Sequence, residues 1–179
     1  QVMAPVAEFI DGTFNTQFSL AGLLNQDMTP VFNSLMGKGI VSVIDAAVTE
    51  NKIINGITSL TKFTKADNIA LKDLIMKAEI TDGKVFWEPF DIKIGDFQST
   101  VFGSNGVDGS LDFALKMNVP AGNIGSALNQ ALASFNGGNQ AEVDSDLLVN
   151  LAVGGTYNSP KIKLAGTESV AGDVKSQAK

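Results

Sequence analysis

The sequence predicts an α+β domain, an antiparallel sheet of about 8–10 strands with two or three helices packed on it. Three observations carry this expectation. Leu111, Phe113, Leu115, Met117 and Val119 alternate with Asp112, Ala114, Lys116 and Asn118, a strict period of two that gives one strand an apolar and a wet face. The same alternation returns repeatedly between glycine-rich turns. Two other segments change to helical spacing.

At 179 residues the chain suits one domain that buries roughly two thirds or more of its unfolded surface, so it folds without disulfides or metal. Hydrophobic residues at 44%, charged residues at 18% and a mean hydropathy of +0.14 place it at the apolar end of soluble domains, which leaves apolar surface for a partner. All 13 basic residues are scattered lysines against 19 acidic residues, a formal charge of −6. No basic stripe is present to neutralise phosphates, which argues against nucleic acid as a partner. The absence of cysteine is compatible with a reducing or an oxidising compartment.

Along the chain, Phe14, Phe18 and Leu20 alternate with Asn15, Gln17 and Ser19 after a turn at Asp11-Gly12, reading as a first strand. Thr29-Pro30 has the form of an N-cap and first-turn proline, predicting a short helix to about Met36 that Gly37 and Gly39 end. Ile40 to Val48 reads as a strand whose alternate set is Ile40, Ser42, Ile44, Ala46 and Val48. Ile53, Ile57 and Leu60 within 50–63 have helical spacing. From Ile69, the set Leu74, Met76, Ala78 and Ile80 restores a strand, and Asp82-Gly83 signals a two-residue hairpin to Val85–Trp87.

Phe90 to Ile94 and a strand from Phe97 follow, joined through Gly95-Asp96, and the glycines of 103–109 precede the strand at 111–119. Ile124, Leu128, Leu132 and Phe135 give a second helix over 123–135, closed by Gly137-Gly138. Val143 to Val153 and Ile162 with Leu164 form a last hairpin. The domain is read as 1–166, with 167–179 a polar tail or the start of an extension. The start at Gln1 and the polar end at Lys179 read as cut ends, with any anchor or export signal outside them.

Reactive chemistry has few places to sit. Glu142, Asp144 and Asp146 share one face of a strand and could line an oxygen-ligand site, although edge protection explains them more simply. Asn105, Asp108 and Asp112 lack the twelve-residue calcium pattern and read as turn chemistry. Gly103-Ser104-Asn105-Gly106 precedes a strand, where a phosphate loop requires a helix. Without histidine or cysteine, nucleophilic catalysis would need a serine–lysine pair, and Ser42, Ser59 and Ser99 show no such spacing. A carboxylate pair for glycoside hydrolysis stays open, with only one Trp and one Tyr to make sugar platforms. Trp87, beside Phe86 and Phe90, reads as sheet-face packing. No catalytic residue, metal ligand or cofactor site is therefore assigned.

Several of these pieces recur together. Gly37-Lys38-Gly39 leads into a β-branched strand and a helix, followed by ITDGKVFWEPFDIKIGDF (80–97), GSNGVDGSLDFALKMNVP (103–120) and the closing GGTYNSPKIKL (154–164). In this order, from about Leu20 to Leu164, they resemble the C-terminal region of the AsmA family. The resemblance implies a periplasmic domain of a Gram-negative envelope protein anchored in the inner membrane outside this chain. It also implies a role in outer-membrane assembly and lipid homeostasis, and a curved, incompletely closed, trough-like sheet of the kind used by bridge-like lipid carriers, whose apolar face holds acyl chains.

Leu111, Phe113, Leu115 and Met117 are the candidate lipid-facing residues, with lipid acyl chains or envelope proteins as partners. Two non-enzymatic readings follow: a lipid-handling module with an open groove, and a structural or adaptor domain whose apolar face is plugged by its own helices over 50–63 and 123–135.

Overall fold

The computed structural model describes residues 10–49, 52–60, 68–94, 97–120, 130, 133–134 and 146–169. They form one eight-stranded antiparallel sheet: β1 (Ile10–Ala21), β2 (Met36–Thr49), β3 (Asn68–Thr81), β4 (Lys84–Ile94), β5 (Phe97–Gly106), β6 (Leu111–Val119), β7 (Leu147–Thr156) and β8 (Ser159–Ser169), with the helix α1 (Lys52–Leu60) between β2 and β3. Every strand pairs with its neighbours in sequence, β1 to β8 in order. The sheet is a pure meander, and it is not closed, because β1 and β8 are its two edges. Consecutive hairpins alternate ends, so the long loop between β1 and β2 and the tight turns between β3 and β4, β5 and β6, and β7 and β8 share one end, and the α1 crossover leaves from the other.

The turns at the shared end are tied to one another. Val107 N–H donates to Gly83 O (2.9 Å) and Tyr157 N–H to Gly109 O (3.1 Å). Asp82 and Gly83 both take positive φ, 50° and 70°, as the type I′ hairpin expected from that dipeptide requires.

Curvature follows from the core. Ile54 and Ile57 of α1 join Ile94, Phe97, Leu115, Met117, Val119, Leu147, Val149 and Leu151 in one buried cluster, with Leu71 of β3 and Ile162 and Leu164 of β8 packed against it. Five strand spacings in a flat sheet would separate β3 from β8 by roughly 24 Å. Side chains from β3 and β8 packed against one cluster with α1 agree with a sheet that curls around it. The sheet also splays. β3 and β4 are in register only from Ala78↔Trp87 to Thr81↔Lys84, and the β4–β5 register shifts between Trp87 and Phe90, where Pro89 has no N–H to give to a ladder.

Three expectations are corrected. The helix from Thr29 to Met36 reduces to a 3-10 turn over Phe32–Ser34, because Pro30 is drawn into an antiparallel bridge with Leu24 and β2 already starts at Met36. Gly37 and Gly39 lie inside β2 and terminate nothing: a Cβ at Gly39 would run into the Phe18 ring, and one at Gly37 into Ser19 O. Two or three helices on the sheet are not supported. Among the described residues α1 is the one α-helix with assigned bounds; Gln130, Ala133 and Ser134 are helical, and the rest of the helix expected over 123–135 lies outside the described residues.

The expected alternate set of β2 also breaks. The β1–β2 register shifts at Thr13/Phe14, opposite Asp73 with its φ of 51° on the far side of β2. Val43 and Ala46 are buried while Ile40 and Ile44 are exposed, since a bulge exchanges the faces of the residues beyond it. At the C-terminal end β8 runs to Ser169, with Thr167 opposite Val149, so strand pairing continues past the boundary expected at 166.

Candidate functional site: the apolar face of the sheet

Cross-strand partners in an antiparallel sheet point to the same side, so the registers trace each face across the molecule. One row runs Phe18, Gly39, Ala78, Trp87, Gly103, Phe113, Val153 and Ile162. The next row toward the hairpin end contains Leu20, Gly37, Ile80, Val85, Asn105 and Leu111. Toward the crossover end, Val101 aligns with Leu115, Leu151 and Leu164, and Ser99 with Met117 and Val149. This side is apolar on all eight strands. The opposite side carries Lys38, Lys77, Glu79, Lys84, Asp91, Lys93, Asp112, Lys116, Lys161 and Lys163 by the same registers.

The four sequence-predicted residues all lie on the apolar side of β6, and their surroundings differ. Met117 is 0% exposed, and Leu115 and Leu111 are also buried; Leu115 and Met117 belong to the cluster that α1 joins. Phe113 is only partly buried. The helix that meets this face among the described residues is α1, which contacts β8 and is fastened by Lys52 Nζ donating to Asn158 O at 2.7 Å. On β1 the same face is uncovered: Phe14 is 52% exposed, Phe18 45% and Leu20 49%. Sequence reasoning recognised β1 as an alternating strand and did not assign its aromatics to the site. The signal that would have done so is the cross-strand pairing of Phe18 with Gly39, a large residue over a small one.

Polar groups on this face are few and engaged. Trp87 Nε1–H donates to Asn105 Oδ1 at 2.8 Å, anchoring the indole on the sheet as expected. Asp108 accepts from Ser110 N–H (2.9 Å) and Ser110 Oγ–H (2.6 Å); these bonds hold its carboxyl below the usual carboxylate range and make it a turn residue. Burial pushes the Tyr157 phenol up. Asp146 is exposed, and Glu142 and Asp144 lie outside the described residues. Among the described residues no group of three or more acidic side chains is placed to hold a metal ion, and no helix is long and apolar enough to cross a membrane.

The geometry defines a class: an open, one-sided β-meander whose apolar face, among the described residues, is filled over the β4–β8 side and exposed along β1. Comparison with protein-family models, characterised proteins and solved structures found no match.

Proposed function

We propose that this chain is a non-enzymatic, periplasmic lipid-handling domain of AsmA type, part of an inner-membrane-anchored envelope protein, which holds lipid acyl chains along the apolar face of its sheet in the service of outer-membrane assembly and lipid homeostasis. One observation supports it above the others: the apolar face is continuous across eight strands, while α1 occupies only part of it and Phe14, Phe18 and Leu20 stay exposed on β1. An acyl chain needs such a surface and no directional polar groups, because the affinity comes from apolar area removed from water. The AsmA resemblance agrees with this surface and supplies the compartment.

The packing of Ile54 and Ile57 into the same cluster as Met117 favours the adaptor reading for the covered part of the sheet, where the face is core. Acyl chains therefore belong along β1, around Phe18, and reach at most to the partly buried Phe113. Native mass spectrometry of the purified domain is expected to show co-purifying lipid, and a fluorescent fatty acid to bind it. Phe18→Asp is expected to abolish that binding with the fold intact, and Phe113→Asp to weaken it. Undiminished binding to a folded Phe18→Asp protein would sink the proposal. So would turnover in esterase, phosphatase or glycosidase screens that one carboxylate or serine substitution removes.

A further inference from the structure

The loop from Gly22 to Leu35, between β1 and β2, holds an exposed methionine where the backbone favours glycine. Met28 N–H donates to Asn25 O (3.0 Å) and Asn25 N–H to Thr29 O (2.8 Å), which closes a short hairpin loop with Met28 at φ 65°. That left-handed position at the end of a hairpin turn is one that glycine fills without strain, and a long side chain there is uncommon. Met28 is nevertheless 72% exposed, Leu23 67%, and Leu24 is also largely exposed. None of the three is held in place by burial.

Two further features decide what this tip fits. Between Thr13 and Gly37 the only ionisable side chain is Asp27, in a chain that is 18% charged. The loop also pairs part of its backbone internally. Besides Asn25 and Met28, Val31 N–H donates to Leu23 O, Leu23 N–H to Ser34 Oγ and Thr29 N–H to Asp27 Oδ1, while Pro30 has no N–H. A nearly uncharged tip with exposed apolar side chains suits the edge of a bilayer, where each backbone group already paired inside the loop lowers the cost of leaving water.

We propose that the Gly22–Leu35 loop is a membrane-docking element, which seats Leu23, Leu24 and Met28 in the interfacial zone of a lipid bilayer. Its position beyond Leu20 and Met36, where β1 and β2 meet at Ala21↔Met36, sets the uncovered column of the sheet against the bilayer. The seat is shallow, with Asn25, Gln26 and Asp27 at headgroup level. With a net charge of −6 and Asp27 in the loop, the element prefers zwitterionic to anionic surfaces.

Flotation with phosphatidylcholine vesicles tests this on the full chain, using Met28→Gly and Leu23→Ser/Leu24→Ser. Met28→Gly relieves the backbone at φ 65° and removes the side chain, so its melting temperature is expected to stay equal or rise while vesicle affinity falls roughly tenfold, the scale of one large apolar side chain. The double serine variant is expected to float no better than a protein without vesicles. Fatty-acid binding, read separately, is expected to stay unchanged in both, and vesicle flotation without any fatty-acid binding would support docking while removing the proposed function. Absence of flotation by the unmodified chain would overturn the proposal, as would equal flotation of both variants, binding confined to anionic vesicles, or a loop-dependent dimer that ignores vesicles.

Discussion

At Gly83 the backbone turns through φ 70°, and a Cβ there would come 2.8 Å from Asn33 Oδ1. A β-branched residue meets both the conformational penalty and the neighbouring loop, so Gly83→Val is expected to cost roughly 1–3 kcal/mol and lower the melting temperature by several degrees. An unchanged melting temperature would mean that the hairpin does not turn here. Asp27 offers a second test. Its carboxylate accepts from Thr29 Oγ (2.6 Å) and Thr29 N–H (3.1 Å), and these bonds hold its pKa below the ordinary aspartate value. A depressed folded-state pKa means that the turn's stabilisation is fully present above the unfolded value and is lost as pH falls through the folded one. The Thr29 amide resonance is expected to titrate below the range of a free aspartate and to lose that transition in Asp27→Asn; titration in the ordinary range would contradict the bonds to Thr29.

Among the elements, β6 and the β3–β4 hairpin were legible from sequence because alternation and an Asp-Gly turn are local signals that the tertiary structure did not override. The strand β2 was legible in place but not in facing, since its bulge depends on β1 and β3 together and changes no local propensity. The Thr29-Pro30 pair misled for a related reason: an N-cap pattern is compatible with a hairpin loop, and the bridge to Leu24 that selects the loop is a non-local contact. For α1 the spacing of Ile53 and Ile57 announced an amphipathic helix, while its seat on the sheet was visible only in three dimensions. Ile57→Ala leaves a void against the cluster containing Met117, and a loss of about 2–5 kcal/mol is expected. In chemical denaturation this should appear as a lower midpoint with little change in slope. A loss below about 0.5 kcal/mol, the usual range for surface substitutions, would show that α1 merely rests on the sheet.

For the molecule as a whole, one apolar face has two fates, and no local signal separates them. Phe18 and Met117 obey the same alternation in sequence; one is half exposed and the other fully buried because the sheet curls around α1 on the side of β4–β8 and leaves β1 at an open edge. The candidate site was therefore legible as a face and illegible as a boundary. A single charge moved across that face should report the boundary as an energy. An unpaired carboxylate at position 117, opposite Val149 in the cluster that also holds Leu115 and Leu151, either stays charged at a cost of several kcal/mol or takes up a proton and loses the apolar contacts, so Met117→Asp is expected to leave the domain unfolded at neutral pH. Phe113→Asp, half-buried, should lose about 2–3 kcal/mol. Phe18→Asp gives up contacts over Gly39 but keeps water access, and a loss of about 1 kcal/mol or less is expected. Urea titrations of the three variants read the gradient directly, and a Phe18→Asp variant as unstable as Met117→Asp would show that the β1 column is core, leaving no open side to the trough.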